Sequence, residues 1–449
     1  MQNQSEPVVK FNNIYILGIS FISALGGYLF GFDFAVIAGA LPFLRAQFML
    51  NEVQEGFLTG SLALGCIAGC LLAGRIADKY GRKPGLMIAA FIFALSSAGI
   101  AFSAGLSYFL ILRFAAGIGV GMASMLCPMY IAEISPAGVR GRNVAINQLT
   151  IVIGILITNW VNALLAGNGP DAWRWMFGLG VVPSVIFLIG VIWLPESPRW
   201  LLKDGQPNKA KLVLNKIGTG AFADDTLNDI QKSLTGVKKV SYKAVFAKSV
   251  RPAVIVGITL AVFQQFCGIN VVFNYTSIIF KSAGIESQQF QNISIGIVNV
   301  IFTILAMYLV DKLGRRPLML MGALGLAVSY LILAFLLQHN YPGYLISVFV
   351  LLAISIYAFS LAPVTWVLIS EIFPNHIRGA ASSVAIVSLW GAYFILVFTF
   401  PILAKKLGTY GPFYMYAGIC LLGFLFVLNK VKETKGQTLE ELEHNFSGH

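Results

Sequence analysis

Long apolar stretches separated by short polar ones dominate this chain. Twelve are long enough to cross a hydrocarbon core, which takes roughly 20 helical residues. Their approximate bounds are 14–41, 56–77, 84–104, 107–130, 143–166, 174–194, 252–281, 289–311, 317–338, 342–371, 380–405 and 410–430. None alternates with a period of two, as a membrane barrel strand would, so each reads as a helix. The first thirteen residues are polar and lead into a span too long for the apolar segment of a signal peptide, so no cleavable signal is expected. The widest polar interruption, 197–250, carries helical patches such as Asn208–Lys216 and splits the twelve into six and six. The expected organisation is an N-terminal six-helix bundle (1–196), a cytoplasmic linker with short helices (197–250), a C-terminal six-helix bundle (251–431) and a cytoplasmic tail (432–449).

Composition sharpens this to an all-α membrane protein. Hydrophobic residues make up 57% of the 449 and charged residues only 11%, against about 25% charged in an ordinary soluble domain. The net charge of +12 is distributed among loops beside the bilayer, which speaks against nucleic-acid binding. With the N-terminus inside, 25 of the 31 basic residues fall on the cytoplasmic side, five (Arg45, Arg174, Lys281, Lys405, Lys406) fall outside, and Arg113 lies deep in a span. Positive charge collects inside, so both termini are expected in the cytoplasm of a multi-pass plasma-membrane protein, or of the inner membrane in a Gram-negative host. All five cysteines lie in spans and read as packing residues rather than disulfides or metal ligands, and no histidine lies deep enough for a proton relay. No metal and no cofactor is expected.

Two texts occur twice. Asp78-Lys79-Tyr80-Gly81-Arg82-Lys83 follows span two, and Asp311-Lys312-Leu313-Gly314-Arg315-Arg316 follows span eight, 233 residues on. Glu133-Ile134-Ser135-Pro136 with Arg140 follows span four, and Glu371-Ile372-Phe373-Pro374 with Arg378 follows span ten, 238 residues on. A register that drifts so little predicts two parallel six-helix repeats about an axis normal to the membrane. Acid and base duplicated together suggest cytoplasmic ion clusters that latch the halves and break when the halves rock. The candidates are Asp78, Arg82, Glu133, Arg140, Asp311, Arg315, Glu371 and Arg378, with Glu196 and Arg199 of the stretch Pro195-Glu196-Ser197-Pro198-Arg199-Trp200-Leu201.

With that stretch, with Gln264-Gln265-Phe266-Cys267-Gly268-Ile269-Asn270 in span seven, and with Lys432-Glu433-Thr434-Lys435-Gly436 near the end, the chain resembles the sugar porters of the major facilitator superfamily over nearly its whole length. It looks most like the bacterial sugar–proton symporters, the xylose–proton type among them, and the animal facilitative glucose transporters. The resemblance implies the major facilitator fold and the transport of a monosaccharide by alternating access.

Two charges stand where lipid penalises them. Asp33 is the only acid deep in one of the spans above, and Arg113 the only base. Each costs roughly 2.5–3.5 kcal/mol at a helix centre. Counted from the outer ends of spans one and four, they lie about 12 Å and about 9 Å down, so they are expected to pair. A carboxylate beside a guanidinium keeps its charge; with the guanidinium withdrawn, a carboxyl in oil takes a proton. A switch of that kind couples proton and sugar. In the family resembled, proton-coupled members carry this Asp and a matching Arg, and facilitative animal members lack the acid.

A neutral polyhydroxylated ligand asks for amides, which both donate and accept, and for an aromatic face. Gln148 in span five, Gln264, Gln265 and Asn270 in span seven and Asn299 in span eight are the candidates. Gln265 and Asn270 lie about 140° apart on a regular helix, so Gly268 is expected to loosen it. The resemblance assigns sugar contacts to these positions, to Trp366 and Trp390, and to Phe30. The chain departs from close relatives in three places. Leu389 stands where they carry an amide, Asn274 where they carry an aromatic (a replacement hydrogen bond or altered gating), and Ala362 where many carry Gly before the helix-breaking Pro363. Pentose and hexose both remain open. The Gly65-x-x-x-Gly69 and Gly117-x-Gly119-x-Gly121 runs read as close-packing surfaces. Asn292-Ile293-Ser294 fits a glycosylation acceptor at a span edge.

The leading reading is a monomeric sugar–proton importer whose partners are a monosaccharide, a proton and the lipid bilayer. A uniporter of the same fold, with Asp33 structural, stands beside it. A sugar-sensing receptor would need a long signalling tail, and a membrane enzyme would need paired acids or an activated nucleophile within the spans.

Overall fold

The computed structural model describes residues 11–235, 245, 247, 250–285, 288–373 and 377–435. These residues form helices and connecting turns and no strand. Twelve helices qualify as membrane spans, in the expected order: Asn13–Phe48, Glu52–Tyr80, Arg82–Ala101, Leu106–Ile134, Val139–Leu165, Ala172–Trp193, Arg251–Asn274, Asn292–Val310, Arg315–Gln338, Gly343–Ile369, Gly379–Leu407 and Gly411–Lys430. Between the sixth and seventh lie three shorter helices, Pro198–Lys203, Pro207–Ile217 and Gly220–Thr235, which mark the linker end of the bundle. Asn12 N–H donates to Ile217 O and Phe11 packs edge-on against Phe222, so the start of the chain is held on the linker.

Small residues decide how the spans cross. Gly65 and Gly69 of span two lie against the Phe114 and Ile118 carbonyls of span four, while Gly117 and Gly121 lie against Leu62 and Cys66 in return. This is the packing role expected of both glycine runs: apolar helices in oil gain no hydrophobic drive from association, so backbone approach supplies the contact. The two halves meet in a related way. Span two packs on span eleven, where Gly60 faces Phe394, and span five packs on span eight, where a Cβ at Gly296 would stand 2.9 Å from Leu156 Cα. Spans two and eight are repeat equivalents, as are five and eleven, so the seam follows the internal two-fold.

Three spans are broken, and each break has a residue behind it. Pro363 lacks an N–H and its ring crowds the carbonyl four residues earlier. The first segment of span ten accordingly ends at Phe359, with Ser360 at φ −124, ψ −83 before the helix resumes at Leu361. Span six shows the same spacing: Pro183 stands four residues after Leu179, where the helix is interrupted. Span seven, expected as one stretch 252–281, comes in three pieces: Arg251–Phe266, Ile269–Asn274 and Thr276–Ser282. Gly268, at φ +89, makes the first break against the Tyr416 ring. Span one continues to Phe48, past the expected end at 41, because Pro42 is tolerated within the helix.

Contacts between the halves gather at the end remote from the linker. Lys405 Nζ meets Glu52 Oε1 at 2.7 Å and Asn159 Nδ2 donates to Asn292 O at 3.0 Å, while within the C-terminal half Tyr275 OH donates to Val397 O at 2.7 Å. That end is closed. Three of the five basic residues that break the charge rule are neutralised there: Lys405 by Glu52, Arg45 by Glu55 at 3.2 Å, and Arg174 by Asp171 at 2.9 Å. Glu55 is 1% exposed. It is a second buried carboxylate, which the sequence reading misses because its second span begins one residue later.

Candidate functional site

Asp33 and Arg113 are both buried, on spans one and four, and Arg113 Nη1 donates to Asp33 Oδ1 at 2.5 Å. The pair expected from depth alone is present. The contact is single rather than a two-point fork. Among the described residues Asp33 Oδ2 and Arg113 Nε have no hydrogen-bond partner, and the guanidinium carbon lies 5.3 Å from the centre of the Phe177 ring. The ring face stabilises a cation that hydrogen bonds leave partly unsatisfied. One carboxylate oxygen therefore stays open to a proton while the other is held.

The acid sits between two aromatic residues of its own helix that reach the other half. Phe30 lies 5.5 Å from Trp390, and Phe34 lies 5.1 Å from Tyr393, centre to centre. Trp390 is buried and its Nε1–H has no hydrogen-bond partner among the described residues. Tyr393 OH accepts from Asn274 Nδ2 at 2.9 Å. Phe34 and Tyr393 are contacts the sequence reading overlooks, although Phe34 follows Phe30 by one helical turn and Tyr393 follows Trp390 by three residues.

Asn274 begins a line of buried amides through the broken span. Its Nδ2 also donates to Asn270 O at 2.7 Å; Asn270 Nδ2 donates to Gln265 Oε1 at 2.5 Å; and Gln265 Nε2 donates to Gln264 Oε1 at 3.4 Å. Gln264 Nε2 reaches Ala362 O at 3.3 Å, at the break in span ten. The break at Gly268 brings Asn270 round to Gln265, against the 140° that a regular helix would leave between them. These side chains bond one another here, with Asn274 Oδ1 lacking a partner among the described residues, and can exchange those bonds for hydroxyls. Gln148 is half-buried on span five and Asn299 buried on span eight, two spans packed together; Trp366 is half-buried beyond the break in span ten. Leu389, beside Trp390, is buried.

At the linker end, the repeated motifs build two matching braces. Arg82 Nε and Nη2 form a fork on Glu133, with bonds of 2.8 and 2.7 Å, and Arg82 Nη1 donates to Ala77 O. Ser197 OH also donates to Glu133. Glu196 accepts the backbone N–H groups of Arg82 and Lys83 at the start of span three. In the other half Glu433 accepts those of Arg315 and Arg316 at the start of span nine, and Arg315 Nη1 reaches Val310 O. Each carboxylate caps a helix N-terminus, whose free N–H groups and dipole favour an anion. The equivalence of Glu433 with Glu196 goes unread in the sequence because the flanking texts differ. Burial pushes the Glu196 carboxyl above its ordinary value, against the pull of the Ser197, Arg82 and Lys83 N–H groups. Burial acts the same way on Glu433, but there the N–H groups of Lys435, Arg315, Arg316 and Thr434 outweigh it and hold the carboxyl below its ordinary value. Asp78 pairs with Lys203 at 2.8 Å rather than with an arginine, and Arg140 and Arg199 are exposed. The side chains of Asp311, Glu371 and Arg378 lie outside the described residues. The clusters above brace elements within one half; they do not join the halves in this conformation.

Two six-helix halves, closed at one end around a seam of amides and aromatics, with breaks in spans that face it, make a membrane transporter of the alternating-access architecture. The family model described as "Sugar (and other) transporter" matches residues 19–446. The chain is 38% identical to the D-xylose-proton symporter of Escherichia coli (strain K12), covering 97% of this chain and 96% of that protein. It is 36% identical to the arabinose-proton symporter of Bacillus subtilis (strain 168), with the same coverage of each. It superposes on the xylose transporter XylE from E. coli, solved in a partially occluded inward-open conformation, with a TM-score of 0.86 at 35% identity over 95% of this chain and 100% of that one. The chain belongs to the sugar transporter family and has the major facilitator fold.

Proposed function

We propose that the protein imports a monosaccharide together with protons by alternating access, and that it works as a monomer. The observation that carries this reading is the buried Asp33–Arg113 pair, one carboxylate oxygen unbonded, on a helix whose Phe30 and Phe34 touch the aromatic residues of the opposite half. In this reading the linker end faces the cytoplasm, with both termini, and the conformation is inward-facing. Asp33 gives up its proton toward that side as Arg113 engages it. When the halves rock and the guanidinium withdraws, a carboxyl left alone in a low-dielectric seam is stable only as the neutral acid. Reloading with a proton is thereby tied to the movement that exposes the amide line to the other side. Gln148, Gln264, Gln265, Asn270, Asn274 and Asn299 supply donors and acceptors to the hydroxyls. Trp366, Trp390 and Phe30 supply the apolar faces, and the Trp390 indole N–H is free to donate.

The test compares wild type and Asp33→Asn in cells given D-xylose or D-glucose. Wild type should accumulate sugar above the outside concentration and alkalinise a weakly buffered medium as sugar is added. The variant should still equilibrate sugar but do neither. Accumulation by the variant would overturn the coupling assignment; absence of alkalinisation in wild type would favour the uniporter.

A further inference from the structure

Midway along the closed end, between spans five and eight, a cavity of about 10 Å³ is lined by Phe34, Phe273, Asn159, Thr276 and Asn292. It is large enough for about one water and far too small for a sugar. Its polar residues are nonetheless deeply set: Asn159 is 5% exposed, Thr276 2% and Asn292 9%. Asn292 is thereby excluded as a glycosylation site in this conformation. An amide in a seam between apolar helices needs a reason, and here the reason has a spacing. Asn159 follows Gln148 by eleven residues on span five, so the two share a face to within roughly 20° and lie about 16 Å apart along the axis. Asn292 precedes Asn299 by seven residues on span eight, with the same angular agreement and about 10 Å between them. Ile155 and Ile295, on those same stripes, also line the cavity. The two spans thus carry parallel stripes from the amides of the proposed sugar site toward the closed end.

We propose that Asn159, Thr276 and Asn292, with the Phe34 and Phe273 rings, form a second, transient monosaccharide subsite that exists only when this end is open. The inference rests on the sugar-transport reading above. In the closed conformation the subsite is shut: Asn159 Nδ2 donates to the Asn292 backbone O across the seam, while the Thr276 hydroxyl donates within span seven to Val272 O at 2.6 Å. When spans five and eight part, the same groups face water across the passage, Asn159 on one wall and Thr276 with Asn292 on the other, with an aromatic ring from each half beside them. Amide donors and acceptors beside a ring face are what a polyhydroxylated ring takes up. Incoming sugar would exchange bonds there before reaching Asn270, about 9 Å deeper along span seven at helical rise, and then Gln265.

Asn159→Val removes the amide, and a panel of sugars separates a binding role from a purely gating one. The probes are D-xylose, D-glucose and their monodeoxy analogues, with uptake measured at equal pH on both sides. The variant should lower kcat/KM for the better parent sugar about tenfold yet leave at least one monodeoxy analogue, lacking the contacted hydroxyl, within about twofold of wild type. Equilibrium binding to the resting protein, closed at this end, should change less than about twofold. Loss by one common factor across every analogue would show a gate contact without a sugar contact and overturn the proposal, as would no loss at all. Should Asn159→Val fail to fold, Thr276→Val in the same panel must show the same hydroxyl dependence, and its absence there also overturns the proposal. Gln265→Ala is the control for the underlying reading. If that change leaves equilibrium binding of both parent sugars intact, the central site is misassigned and the subsite falls with it.

Discussion

A hydroxyl on Tyr393 holds Asn274 in place, and nothing else among the described residues accepts from Asn274 Nδ2 except Asn270 O. Tyr393→Phe leaves a buried amide short of a partner, at about 1–3 kcal/mol. We expect equilibrium sugar binding to weaken several-fold in this variant while sugar-driven alkalinisation continues. Unchanged binding would mean that Asn274 stands apart from the ligand. The same scale explains why Arg113 should not be replaceable by lysine. Lysine keeps the charge but loses the planar group that lies over Phe177 while bonding Asp33. Arg113→Lys is expected to slow proton-coupled uptake at least about tenfold, measured as initial rate under an imposed pH gradient. Asp33, Arg113 and the adjacent glutamines were legible in the sequence because polar atoms in long apolar runs are few and each demands an account. Tyr393 and Phe34 were not legible: an aromatic residue in an apolar helix has the same composition whether it faces lipid, a neighbour or a ligand.

Helix breaks and helix starts govern the next scale. Gly268 takes φ +89 with the Tyr416 ring where a Cβ would go, so alanine there is strained twice over. Gly268→Ala should destabilise the protein by about 1–3 kcal/mol and release the Asn270–Gln265 bond, seen as a lower Tm together with weaker sugar binding. At the start of span nine, Glu433 receives four backbone N–H groups, and its carboxyl is held below the ordinary value of 4.5. Because the folded form prefers the anion, this contribution is present above pH 4.5 and is lost as pH falls through the lowered folded value. The gap in Tm between wild type and Glu433→Gln should therefore be open at pH 7 and close as the medium is acidified well below 4.5. Twelve spans and their order followed from run length alone. The breaks after Phe359 and at Leu179 also follow from sequence, once each proline is counted back four residues. The fragmentation around Gly268 did not, since glycine permits a break but packing decides whether it is used.

For the whole molecule the question is which end opens. Gly296 lies so near Leu156 that a larger side chain would hold spans five and eight apart. Gly296→Leu should bias the protein toward the conformation open at the end remote from the linker. In a background without the five native cysteines, all of them buried, Thr276→Cys would report this. Its labelling by an impermeant thiol reagent should rise several-fold when Gly296→Leu is added, and an unchanged rate would show that closure does not depend on that approach. The braces at the linker end join elements of a single half in this conformation. In the rocking motion proposed above, each brace moves with its own half.

The sequence by itself determined the solvent, the twelve spans, the duplication and the short roster of polar residues that oil would not hold without cause. Those conclusions rest on transfer free energies and helical periodicity, which are properties of a segment and need no knowledge of its neighbours. Only the tertiary structure decided that Glu433 mirrors Glu196, that Glu55 is buried, that the amides of span seven form one line, and that Asn159 meets Asn292 across the seam. Such facts depend on distances between segments remote in the chain, and these are fixed by how glycine faces let helices approach and where the two halves close.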